Sequence, residues 1–126
     1  MHHVRTFLGI EAMAFGAAAL VHAGVLTAGY RHREATIAEG VIAGVLTLGL
    51  VVSVLRPYWS RAVGLSAQGF ALLGTFVGIF TMAIGVGPQS GFDVALHIGF
   101  ITLLIAGLVV VARSGAGLAG SPVQDV

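Results

Sequence analysis

Residues 35–55 read ATIAEGVIAGVLTLGLVVSVL, an unbroken apolar stretch with one ionisable side chain, Glu39. About 20 such residues cross the hydrocarbon core of a bilayer as a helix. Three further stretches match it in length and character: Phe7–Gly29, Ala62–Val86 and Asp93–Ala112. The segments between them are turn-like. Tyr30-Arg31-His32-Arg33-Glu34 is a short polar hairpin, and Arg56–Arg61 carries the helix-stopping Pro57 beside Tyr58 and Trp59, two interfacial aromatics. Gly85–Gly91 is an uncharged Gly/Pro loop. Loops this short force neighbouring helices antiparallel. The expected fold is therefore an all-α membrane protein, a four-transmembrane-helix up-down-up-down bundle over residues 1–113, followed by a loose polar tail over 114–126.

Composition supports the same class. Of 126 residues, 57% are hydrophobic and 9% charged, against about 25% charged in a soluble domain. The six basic residues are all Arg, and the net charge is +1, with no clustered basic face for nucleic acid. The absence of Cys excludes disulfides, thiolate metal sites and Cys nucleophiles. Arg5 and the small residues around His22 loosely fit a cleavable signal, but Glu11 interrupts the apolar region, so an uncleaved first helix is expected. Arg5, Arg56, Arg61 and Arg113 fall on one side of the membrane, Arg31 and Arg33 on the other. That asymmetry places both termini in the cytoplasm, with the chain integral to a bacterial inner membrane. Gly40-x-x-x-Gly44 and Gly74-x-x-x-Gly78 are close-packing motifs, read first as packing within the bundle and second as a dimer face.

His22, Glu39 and His97 lie inside the apolar stretches, each on a different helix. An ionisable group in hydrocarbon costs several kcal/mol unless it is paired or faces a cavity, so each is a candidate functional residue. Counted from helix ends at Gly29, Ala35 and Asp93, His22 comes out about 10 Å deep, and Glu39 and His97 about 6 Å. The three thus form one layer. Asp93 precedes His97 by four residues and is expected to orient it as a supporting carboxylate. His32 stands seven residues before Glu39 on the same face. Glu11 and Gln68 share a depth on the opposite side of the bilayer and are expected to hydrogen-bond.

Two imidazoles and a carboxylate suit a transition metal such as Zn, Fe, Mn or Cu. Haem b is an equal candidate, with His22 and His97 as axial ligands and Arg31 and Arg33 on anionic groups. In that case Gly24, Gly44, Gly78 and Gly99 make room for the ring, and electron transfer, with a quinone as partner, follows. The leading expectation is thus a membrane protein with a cofactor site built on His22, Glu39 and His97. A proton- or cation-coupled small transporter or channel, as a homodimer, is the second reading. A non-catalytic accessory subunit of a larger membrane complex is the third. Nucleophile elbows, phosphate loops, dinucleotide fingerprints and HExxH are all absent from the sequence.

Overall fold

The computed structural model describes residues 1–114; of the tail expected over 114–126, all but Ser114 lies outside the described residues. Four helices follow one another: α1 (His2–His22), α2 (Arg33–Leu55), α3 (Ser60–Ala83) and α4 (Gly91–Arg113), with a single 3₁₀ turn at Pro57–Trp59 between α2 and α3. All four are long and apolar enough to span a membrane, and no strand occurs among the described residues. Each helix packs on its neighbours in chain order, α1 closes the ring against α4, and α1 and α3 also touch across the diagonal. Helices α2 and α4 stand apart.

The distribution of side chains is that of a lipid-embedded bundle. Leu48, Leu73, Phe76, Phe80 and Ile98 point outward and are exposed, whereas Glu11, His22, Glu39, Gln68, Thr75 and Asp93 are buried. Lipid is as apolar as leucine, so burial of apolar surface does not drive these helices together; close packing and interhelical hydrogen bonds do. The apolar interior is thin and includes Leu8, Leu46, Ala67, Ala71, Leu104 and Val111. Gly74 and Gly78 contribute to it: a Cβ on Gly74 would lie 2.8 Å from Ile42 Cδ1, and one on Gly78 would lie 2.7 Å from His97 Nε2. Gly40 and Gly44 meet nothing within 4 Å, so that motif faces out of the bundle rather than into it. Thr36, Thr47, Thr75 and Thr102 each bond back to a carbonyl four residues earlier, as Thr does in a helix without other partners.

The end of α1 departs from the sequence expectation. The apolar run continues to Gly29, but the helix stops at His22. Gly24 has φ +76°, its N–H reaches the Val21 carbonyl at 2.9 Å, and Val25 N–H reaches Leu20 at 3.0 Å. This pair of bonds around a left-handed glycine is a Schellman terminus. The same arrangement ends α3 at Ala83: Gly85 (φ +79°) bonds to Met82 at 3.0 Å and Val86 to Thr81 at 2.9 Å. At this end of the bundle the two helix starts are capped by side chains, His32 for α2 and Ser90 for α4. His22 is therefore at the terminus of its helix, where a hydrogen bond from His32 N–H to its carbonyl at 2.8 Å folds the 23–32 loop back over it.

Candidate functional site

Three buried ionisable side chains meet at this end of the bundle. His22 Nδ1 lies 2.6 Å from Glu39 Oε2 on α2, and Nε2 lies 3.0 Å from Asp93 Oδ1 on α4. Exposure of the three is 1%, 6% and 0%. The imidazole from α1 thus links α2 to α4.

Asp93 is held from its own helix start. Ser90 caps α4 by accepting the Asp93 N–H at 3.2 Å, and Asp93 Oδ2 accepts the Ser90 N–H at 3.0 Å and its hydroxyl at 2.5 Å. This capping box fixes the carboxylate so that Oδ1 turns towards α1. The expectation that Asp93 orients His97 is therefore corrected: its carboxylate serves His22, and His97 Nδ1 takes the Asp93 backbone carbonyl at 2.8 Å. Tyr30 closes the triad from the loop. Its hydroxyl is 3.1 Å from Ser90 Oγ, and its ring lies 5.5 Å from the His22 ring between centroids. Burial, with the Asp93 carboxylate close by, pushes the Tyr30 phenol above its ordinary 10.0.

Proton counting constrains the chemistry. Each imidazole–carboxylate contact needs one hydrogen between its two atoms. With two hydrogens shared, the triad carries one net negative charge, whether as imidazolium between two carboxylates or as neutral imidazole with one carboxylic acid. A third proton makes it neutral. Both Asp93 oxygens are engaged, and Glu39 Oε2 is engaged, so among the described residues Glu39 Oε1 is the triad oxygen without a protein hydrogen bond.

Glu39 also lines a cavity of about 270 Å³ that enters between α2, α3 and α4. Ile42 and Ala38 of α2, Gly74, Thr75 and Gly78 of α3, and His97 of α4 form its walls, together with His32 and Pro88 from the connecting segments. Phe15 and Phe100 lie at its inner boundary, stacked at 4.0 Å between centroids and 19° between planes. Glu34 and Glu39 line the cavity and no Arg does. Arg31 and Arg33 instead border a separate cleft with His22 and Thr36.

Sequence reasoning grouped His22, Glu39 and His97 as one ligand set. The structure joins His22 to Glu39 and sets His97 across the cavity, its Nε2 against Gly78. Both His22 nitrogens are occupied by carboxylates. His32 caps α2 through Nδ1, 3.4 Å from Ala35 N, and makes no bond to Glu39. Among the described residues no group of three or more His, Asp or Glu side chains is arranged to hold a metal ion. The four glycines expected to make room for haem do not share one space: Gly44 and Gly99 have open surroundings, Gly24 ends α1, and Gly78 backs His97. Besides Tyr30, Ser90 is the site residue that sequence reasoning missed. Its signal was there in Ser90-x-x-Asp93, the capping-box spacing ahead of an apolar run.

At the other end of the bundle, Gln68 Nε2 donates to Glu11 Oε1 at 2.8 Å and Oε2 at 3.0 Å, both residues fully buried. Compared with known proteins, the chain matches no family model, no curated protein and no solved structure.

Proposed function

We propose that the protein is a small proton-linked membrane carrier whose cavity takes an organic cation with an apolar body. One observation carries this reading: Glu39 belongs to both the triad and the cavity, and its Oε1 is the triad oxygen left without a partner. A proton and a cation compete for that oxygen. The cavity walls are apolar, its ionisable lining is acidic with two imidazoles, and two phenyl rings bound it. Apolar walls with a few placed polar groups are the usual make-up of a small-molecule site.

His22 and Asp93 act as positioning residues. His22 holds Glu39 Oε2, and Asp93 holds the other side of the imidazole, so that Oε1 stays out of the triad's hydrogen bonds. A metal or haem iron at His22 would first have to displace a carboxylate from the ring, so the competing cofactor reading gains nothing from this geometry. The arginine asymmetry supports an orientation with the Glu39 end of the bundle on the non-cytoplasmic face of a bacterial inner membrane and both termini in the cytoplasm.

Equilibrium binding tests the reading. Phenyltrimethylammonium is expected to bind the protein in lipid nanodiscs with at least tenfold preference over tert-butylbenzene, its neutral isostere. Glu39→Gln is expected to remove that preference. Equal binding of both probes, or a preference that survives in Glu39→Gln, would overturn it.

A further inference from the structure

The Glu11–Gln68 pair takes no part in the cavity. One amide nitrogen serves both carboxylate oxygens, and among the described residues Gln68 Oε1 is buried without a donor. Buried polar groups are nearly always partnered, so an orphan carbonyl beside a buried acid marks a missing hydrogen. The opposing helix makes room for the pair at Gly107, where a Cβ would strike both Gln68 Nε2 and Glu11 Oε1. No ion pair among the described residues involves Glu11. The groups gathered with it at Gly107 are uncharged: Phe7 on α1 and Gln68 from α3. Arg5, the basic residue closest to it along α1, gives its guanidinium to the Ser53 carbonyl at 2.8 Å.

We propose that Glu11 and Gln68 form a second proton-binding site, in which the amide swings to bring its carbonyl to the acid when the proton arrives. The proton bonds to one Glu11 oxygen, and the new O–H donates to Gln68 Oε1. Nε2 keeps its hydrogen bond to the other oxygen. Acid and amide are then joined by two hydrogen bonds in a ring, the orphan carbonyl is satisfied, and the negative charge is gone from the membrane interior. Glu11 and His22 are separated on α1 by eleven residues, three helical turns on one face and about 16 Å along the axis. The Phe15–Phe100 stack stands between them. Glu11 is thus a proton station beyond the inner boundary of the cavity. Its service in the same carrier cycle rests on the proposed function; its binding of a proton does not.

Infrared difference spectra between acid and alkaline buffer, recorded on the full chain in phosphatidylcholine vesicles without any organic cation, read this directly. A protonated-carboxyl band is expected, with a simultaneous change in a glutamine amide carbonyl band. The Glu11 component of the carboxyl band and the amide change are expected to vanish in Glu11→Gln and to persist in Glu39→Gln. Gln68→Met, which keeps the acid and removes the amide, is expected to shift the carboxyl band and to move its midpoint at least tenfold in proton concentration; it decides the matter if Glu11→Gln does not fold. Absence of a Glu11 band at every pH, or a band indifferent to Gln68→Met, overturns the proposal. So does an amide change driven by sodium at constant pH, which would make this a metal-cation site. Wild-type protein that shows the band but fails to prefer phenyltrimethylammonium sinks the carrier reading alone.

Discussion

Adding one methyl group at Gly107 tests how tightly α4 closes over the Glu11–Gln68 pair. An alanine in place of glycine in a helix is ordinarily favourable, by about 1 kcal/mol. Here the Cβ collides with Gln68 Nε2 and Glu11 Oε1 and approaches Phe7 Cδ1 to 3.1 Å. Overpacking of this kind costs about 1–3 kcal/mol. Displacing the amide also breaks the bond between two fully buried groups, and a buried polar group left unpaired costs about 1–3 kcal/mol more. The two penalties outweigh the propensity gain, and Gly107→Ala is expected to destabilise by about 1–5 kcal/mol. Gly99→Ala on the same helix meets nothing within 4 Å and is expected to change stability by no more than about 1 kcal/mol, in the favourable direction. Reversible unfolding in mixed micelles measures both. The double variant Gly107→Ala with Gln68→Ala frees the space again and is expected to be more stable than the two single effects added together. Equal stability of Gly107→Ala and Gly99→Ala would refute the packing argument.

Three further outcomes are expected. His22→Ala removes the imidazole from between two buried carboxylates and should destabilise by about 3–5 kcal/mol in the same unfolding assay, because the remaining charges lose their shared partner. Gly24→Ala forces a side chain into φ +76° and towards Arg31 Cγ at 2.8 Å, a loss of about 1–2 kcal/mol that Gly16→Ala, with open surroundings within α1, should not show. Tyr30 is favoured in its neutral form by burial, so its folded-state pKa stands above the unfolded value. The stability it contributes is full below 10.0 and is lost as pH rises through the folded-state pKa; unfolding measured across that alkaline window should show the loss, and Tyr30→Phe should remove it.

The four spans were legible because lipid demands long apolar runs and because Pro57 and the Gly/Pro loop punctuate them. Three of the spans match their helices to within about three residues, the ordinary error of such boundaries. The first did not, since Val25-Leu26-Thr27-Ala28 is apolar enough to continue α1 and only Gly24 signals the stop. Moving the end of α1 back to His22 changed the site: the imidazole sits at a helix terminus beneath a loop, not within a straight span. The pairing of Asp93 was not legible either. Spacing of four residues points to His97, but the Ser90 capping box holds Oδ2 at the helix start and leaves Oδ1 for α1. Local periodicity names residues on one face of one helix; it does not say which of two helices a carboxylate will serve. The Glu11–Gln68 pair was easier because the two share a depth near one end of the bundle, three helical turns from His22.

Proton release upon cation binding tests the role of Glu39 most directly. Purified protein in weakly buffered micelles, with a pH indicator dye, would be titrated with phenyltrimethylammonium at a pH near the midpoint of Glu39. Competition for Glu39 Oε1 requires protons to be released in step with saturation, none to be released by tert-butylbenzene, and none by Glu39→Gln. Saturable binding of the cation with no proton released at any pH, or the same release from Glu39→Gln, would contradict the assignment of Glu39 as the residue that links the two ligands.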